Sequence, residues 1–263
     1  MLGKLLKYEI KATARLFLPM YVAILIFAII NRIFDPFNKL NTSSSLNLQT
    51  ILSVVSSILY FALIVGILVM TLVIMIQRFY KSLLGNEGYL MFTLPVKTWE
   101  HIISKLLVAM MWTIISFVII VSSIVILIGI NAVLAELPRL INTFIDTFGY
   151  QMLLTAAYFA ILQLASSILM IYCAISLGHL FPKHKLIASF GMYCILYSVN
   201  QIVALVFLLL FSHNFITSIA ATGTPTPAQI KNFMLSLSPI PILLSVGYFV
   251  LTNFVLNKYL NLE

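Results

Sequence analysis

The residues of this sequence able to hold a metal, relay a proton or attack a substrate are few, and their positions argue against all three. Its seven carboxylates, fifteen basic side chains and four histidines fall between long apolar runs or at their ends, and none lies in the middle of a run. An ionisable group at membrane depth costs at least ~2.5 kcal/mol and persists there for function. Without one, ion coupling, proton relay and voltage sensing lose their usual groups. No paired carboxylates, His/Glu cluster or Ser/His pair stand at depth either, which argues against intramembrane proteases and metal-dependent membrane enzymes. Cys173 and Cys194 both lie in apolar runs, where a thiol behaves as a small hydrophobe rather than as a ligand or disulfide partner. The only Gly-Lys pair, Gly3-Lys4, is followed by Leu5 where a phosphate-binding loop needs Ser or Thr. The chain therefore carries no ATPase site of its own and needs no cofactor of its own.

What remains is recognition, and three features could carry it. The first is N-terminal: Lys4, Lys7, Lys11 and Arg15 recur every three or four residues and share one helix face, while Leu2, Leu6, Ile10 and Phe17 line the opposite one. The pattern reads as an interfacial helix over 1–15 with its cations against anionic headgroups, turning upward around Pro19. Simple anchoring by positive charge is the plainer reading. Glu9 falls nearer the apolar face and wants a protein partner there.

The second feature is the loop 77–105. Arg78 to Leu84 can continue the preceding helix, and Gly85 can stop it by accepting positive φ. Glu87-Gly88-Tyr89-Leu90-Met91-Phe92 gives a short amphipathic turn ended by Pro95. Thr98 can then cap the next helix, with Glu100 complementing its dipole. A short helix at the tip of two helical extensions suits a docking peg for a soluble protein; the alternative is a loop lying on the membrane surface.

The third is a pair of polar stripes. At 100° per residue Ser53, Ser56, Ser57, Tyr60 and Thr71 share one arc of a helix, and Ser189, Tyr193, Tyr197 and Asn200 share another, with Gln201 at its edge. Such faces avoid lipid and turn either toward a wet cavity or toward a neighbouring helix. Ala156, Ala160, Gln163, Ser167 and Ala174 form a small-residue seam of the kind that packs helices.

The elements that position these features follow from composition. Of 263 residues, 62% are apolar and 8% charged, whereas soluble domains run near ~25% charged. At ~20 apolar residues per crossing, the runs predict six membrane helices near 16–34, 51–76, 106–130, 152–178, 186–211 and 239–257. That leaves no stretch long enough for a soluble enzyme domain. Six crossings put both termini on one side together with loop 77–105, and eleven of the fifteen basic residues fall on that side. The positive-inside rule then makes it cytoplasmic. The net charge of +8 is thus read as orientation rather than as affinity for nucleic acid. On the other side, 222–227 reads as turn punctuation, and Pro138 is placed to begin a short interfacial helix through Phe148, with Leu140, Ile141, Phe144, Ile145 and Phe148 on one side. No internal repeat argues for an inverted-repeat carrier.

Lys7-Tyr8-Glu9-Ile10-Lys11 before the first span, Glu87-Gly88-Tyr89-Leu90, Thr93-Leu94-Pro95-Val96 and Ser104-Lys105-Leu106 together resemble the membrane subunit of a bacterial type-2 ABC exporter. In topology the resemblance covers the whole chain, and the loop pattern is its most specific part. It implies an all-α, six-helix permease with both termini in the cytoplasm of a bacterial plasma membrane. The coupling helix would be formed by Glu87, Gly88, Tyr89, Leu90, Phe92 and Leu94, seated on a separate ABC ATPase subunit that holds ATP and Mg. The N-terminal helix with Lys4, Lys7, Glu9, Lys11 and Arg15 would lie at the inner interface. The second and fifth spans, with Ser53, Ser57, Tyr60, Thr71, Ser189, Tyr193, Tyr197 and Asn200, would face a pathway completed by a second permease chain, identical or related. Lys97 departs from the small hydroxyl residue that the family pattern places after the Pro-Val pair. The expected cargo is a peptide, antibiotic, drug or lipidic molecule, since uncharged stripes select weakly. The competing reading is a membrane scaffold or receptor that docks a cytoplasmic partner through 77–105 and transports nothing.

Overall fold

The computed structural model describes residues 2–34, 48–85, 88, 96–181, 183–223 and 225–258, with some side chains left aside within 34–53 and 211–222. Among the described residues every regular element is helical: α1 (Leu2–Phe34), α2 (Leu48–Phe79), α3 (Thr98–Ile128), α4 (Ile130–Phe148), α5 (Tyr150–Gly178), α6 (Lys185–Thr222), α7 (Pro227–Leu237) and α8 (Pro239–Lys258), with a π-helical turn at Tyr80–Leu84. Six stretches are long and apolar enough to cross a membrane: Leu2–Ile33, Val54–Leu84, Thr98–Ile128, Tyr150–Gly178, Lys185–Leu210 and Pro227–Lys258. These are the six runs expected from composition, and the ends of several differ from the expected limits.

The N-terminal segment is continuous with the first span, with Pro19 inside the helix rather than at a turn. Proline lacks the N–H that would bond the carbonyl four residues back, yet packing holds the helix on both sides of it. Thr13 and Phe17 before it, and Tyr21, Ile24, Ala28 and Asn31 after it, are all buried. From Phe17 onward these positions alternate by four and three, one seam of a helix packed lengthwise. Glu9 lies on the same face at 7% exposure, while Lys4, Lys7, Lys11 and Arg15 face outward.

The second span runs on as expected through Leu84, its last five residues as a π-helical turn closed by Gly85 N–H donating to the Tyr80 carbonyl at 2.9 Å. Gly85 has φ −96°, so it does not stop the helix by adopting positive φ. Its reason is space: a Cβ there would stand 2.9 Å from the Lys81 carbonyl oxygen. Thr98 is the first residue of α3 rather than its cap, and its hydroxyl bonds the Asn257 side chain at 2.5 Å. Glu100 occupies the first turn, as expected.

The chain folds as two compact units. One comprises Gly3–Met75 and Leu107–Leu140; the other comprises Ile76–Leu106 and Ile141–Glu263 with the first two residues. In the first, α1, α2 and α3 enclose a core of Phe17, Tyr21, Ile24, Tyr60, Ile67 and Trp112, with Phe17 stacked on Trp112 at 4.6 Å between centroids. In the second, α5 is the central helix, contacted by α6, α7 and α8. Its C-terminal half, Ser166 to Gly178, is almost wholly buried, and Tyr172 stacks on Phe79 at 4.1 Å. Of the small-residue seam expected on this helix, Ala174 is buried and Ala160 and Gln163 are exposed, because only the later half of α5 has neighbours on all sides.

Between α6 and α7, in the punctuation expected over 222–227, Gly223 has φ +74° and Thr224 lies outside the described residues. The segment ends in a reciprocal cap: Gln229 N–H donates to Thr226 Oγ1, and Thr226 N–H donates to Gln229 Oε1. Cys173 is buried and Cys194 exposed, both as free thiols.

Candidate functional site

Of the two stripes expected to face a pathway, the one on α2 is engaged inside the first unit. Tyr60 is buried and its hydroxyl shares a hydrogen bond with Ser123 of α3 at 2.8 Å. Thr71 is buried too; its hydroxyl donates to the Ile67 carbonyl and lies 3.1 Å from Ser116, which in turn shares a 2.7 Å hydrogen bond with Tyr21 of α1. Ser56 donates to Asn31 Oδ1 at 2.9 Å, and Asn31 Nδ2 donates back to the Ser56 carbonyl at 3.2 Å. Nearer the start of α1, Trp112 Nε1–H donates to Thr13 Oγ1 at 2.7 Å. Three helices are thus tied by side-chain hydrogen bonds at four successive levels. In hydrocarbon an unbonded hydroxyl has no water to turn to, and a helix pair gains nothing from apolar burial against lipid, so such bonds and close packing hold the bundle.

Ser57 is half-buried on the same helix, and the Ser53 side chain lies outside the described residues. The hydroxyls of Tyr60 and Thr71 therefore have helix partners in this structure.

The stripe on α6 is arranged differently. No residue of Lys185–Leu210 is buried. Tyr193 and Tyr197 stack at 6.3 Å between centroids, Tyr197 is 48% exposed, and Asn200 is half-buried. Positions 193, 197 and 200 follow one another by four and three residues, so the two phenols and the carboxamide line one face. Gln201 beside them is exposed. Ser189, at the head of this stripe, has a local role: its hydroxyl donates to the Lys185 carbonyl at 2.8 Å, and its backbone lies against Gly178, where a Cβ would come within 2.3 Å of Ser189 Cα. Gly178 is required there by close approach, since no side chain fits between the end of α5 and the start of α6. What the α6 face can do chemically is offer hydroxyl, amide and aromatic surface without charge.

Of the segment expected to dock an ATPase, Glu87, Tyr89, Leu90, Phe92 and Leu94 lie outside the described residues; Gly88 donates its N–H to the Gly85 carbonyl at 2.8 Å. The helical supports on either side are well embedded in the second unit. Ser82, Leu83 and Leu84 of the π-helical turn are buried, and so are His101 at 1% and Lys105 at 5% exposure near the start of α3. Tyr172 donates its hydroxyl to the Lys105 carbonyl at 3.3 Å. The sequence places both His101 and Lys105 at a helix end, which is correct as position but gives no hint of burial. None of Glu9, His101 and Lys105 is without an interaction, as buried ionisable groups require.

Beside α6, His179 stands between α5 and Lys185. Its Nε2 lies 3.5 Å from Lys185 Nζ and its ring meets Tyr80 edge-on at 6.0 Å. Burial, and then the Lys185 charge, hold its pKa below the usual imidazole value.

Sequence reasoning missed Tyr21, Asn31, Ser116 and Ser123, which supply the far side of the hydrogen-bonded seam. A signal existed in the seven-residue separation of Ser116 and Ser123, two turns apart on one face of α3. Among the described residues no group of three His, Cys, Asp or Glu side chains could hold a metal ion. Comparison with known proteins finds no matching family model, no similar characterised protein and no similar solved structure.

Proposed function

We propose that this chain is the membrane subunit of an ATP-binding cassette exporter. Both termini and loop 77–105 face the cytoplasm, and a separate ABC ATPase docks on the segment Glu87 to Leu94 and supplies the energy of ATP hydrolysis. The observation that carries the reading furthest is the face of α6, where Tyr193, Tyr197 and Asn200 line a polar strip on a span, Lys185–Leu210, of which no residue is buried. Uncharged polar groups set against lipid are unfavourable, so a second permease chain, identical or related, covers that face and closes a pathway along it. The embedded supports flanking residues 86–95, with Leu83, Leu84 and His101 packed into the second unit, suit a peg that must transmit force. The cargo is a peptide, antibiotic, drug or lipidic molecule, held by hydroxyl, amide and aromatic contacts.

Co-purification with the ATPase encoded nearest to this gene, and ATPase and transport assays on the reconstituted pair, test the reading. Glu87→Ala removes a charge-assisted contact, and Tyr89→Ala removes an aromatic anchor. Gly88→Val places a β-branched side chain on a closely approaching backbone. All three variants should insert normally while ATPase binding and transport fall together. Full binding and transport in all three would leave the loop a connector and favour the scaffold. Reporter fusions after Lys97 and Lys185 should read cytoplasmic, and a fusion near Asn142 should read external; one reversal would break the topology.

A further inference from the structure

The helix α4 is longer than the sequence suggests, and the added turns extend its two-sided pattern. It begins at Ile130, eight residues before Pro138, which lies inside it rather than at its start. The proline lacks the N–H for the Leu134 carbonyl without ending the helix. On a 100° wheel Leu134, Leu137, Leu140, Ile141, Phe144 and Ile145 fall within one half, while Asn131, Glu136, Arg139, Asn142, Thr143 and Asp146 fall in the other. All six of those apolar side chains are exposed, and no residue of the helix is buried.

Two single-residue corners determine where this face must lie. Gly129, at φ +108°, is the only residue between α3 and α4, and Gly149, at φ +77°, is the only residue between α4 and α5. Both conformations are ones that glycine adopts without strain. The first corner is also locked by a side chain: Arg32 Nη1 donates to the Leu127 carbonyl at 3.0 Å, and its guanidinium occupies the space that a Cβ on Gly129 would enter, 2.3 Å away. Since α3 and α5 are both spans, a helix joined to each by one residue cannot leave the level at which those spans end. For two spans that level is the membrane–water boundary, and the apolar half of α4 is exposed.

We propose that α4 is a membrane-surface helix whose apolar half is immersed in the boundary between headgroups and acyl chains, its occupant being lipid. With Arg139 against Glu136 and Asp146, its polar half carries one cation and two anions. Unlike Lys-rich interfacial helices, it has no excess positive charge to seek anionic headgroups, so its immersion is driven by apolar contact and holds in zwitterionic lipid. The inference does not depend on the transport reading.

Spin labels at single cysteines in the full-length protein, with Cys173 and Cys194 replaced by alanine, test it in phosphatidylcholine vesicles with and without phosphatidylglycerol. Labels at Leu137 and Phe144 should collide several-fold more with oxygen than with a water-soluble nickel complex. Labels at Asn142 and Asp146 should show the reverse, in both lipid mixtures. Adding Leu137→Glu should shift a label at Ile141 toward the nickel complex while the protein still elutes as a folded species. Equal nickel access at all four positions would place the helix in water and overturn the proposal. Protection of 137 and 144 from both reagents would overturn it in favour of a protein partner on that face, and immersion confined to the anionic mixture would overturn the apolar mechanism.

Discussion

The polar stripe of α2 and that of α6 are both uncharged arcs of hydroxyl and aromatic side chains on apolar helices, and they meet opposite fates. On α2, Tyr60 and Thr71 are buried with their hydroxyls in hydrogen bonds to α3. On α6, Tyr197 is half exposed and no residue of the span is buried. A stripe of hydroxyls and amides thus does not by itself say what a helix face meets. Whether it meets another helix of the same chain depends on what that helix carries at the matching height. The third span carries Ser116 and Ser123 opposite Thr71 and Tyr60; among the described residues nothing plays that part for Tyr193, Tyr197 or Asn200.

The largest effect that probes this contrast falls where α6 is held most tightly. Gly178→Val sets a branched side chain against Ser189 backbone atoms that a Cβ already approaches to 2.3 Å, and overpacking of this kind costs about 3 kcal/mol or more. Thermal unfolding in detergent should show a large loss of stability, and a wild-type melting curve would mean that α6 is not anchored at this corner. Next in size, Ser123→Ala strands the buried Tyr60 hydroxyl and should destabilise by about 1–2 kcal/mol. Tyr60→Phe should cost only about 0.6 kcal/mol, because Ser123 keeps its own bond to the Ile120 carbonyl at 2.7 Å. Denaturation of the two single variants and the double variant measures the coupling, and equal costs for the two singles would contradict the seam as drawn.

On the other stripe, Asn200→Leu and Tyr197→Phe should leave the stability of the isolated chain within about 0.5 kcal/mol while altering chain pairing or transport. A loss as large as that of Ser123→Ala would show the α6 face to be packed after all, and would erase the contrast.

The smallest effect is in pH. The folded pKa of His179 lies below its ordinary value of 6.5, chiefly through burial. As pH falls, the unfolded chain therefore takes up this proton first, and stability drops from about pH 6.5 down through the folded pKa, then levels off below both. His179→Gln should remove that part of the acid sensitivity. Melting temperatures between pH 7.5 and 5.5 would show a shallower slope in the variant, and identical slopes would mean that the imidazole is not held neutral beside Lys185.

Much of this was legible in advance, for reasons particular residues make plain. The six spans follow from run length alone, because backbone polar groups in hydrocarbon must bond within their own helix. Less legible was Pro19: read locally it is a place to turn, yet Thr13 and Phe17 on one side and Tyr21 and Ile24 on the other are packed on one seam, and that packing carries the helix through. Thr98 reads as a cap until Asn257, 159 residues away, takes its hydroxyl. Gly85 reads as a positive-φ stop, and its backbone instead needs room beside Lys81.

By itself the sequence determined the apolar spans, the absence of charge in the middle of any of them and the two-sidedness of each polar stripe, since these depend on composition and on a helix period that no neighbour can change. Only the tertiary structure decided which stripe closes on itself. The pairing of Tyr60 with Ser123 and of Asn31 with Ser56 needs two helices at one height and one rotation, and nothing in the period of either helix alone specifies the register between them.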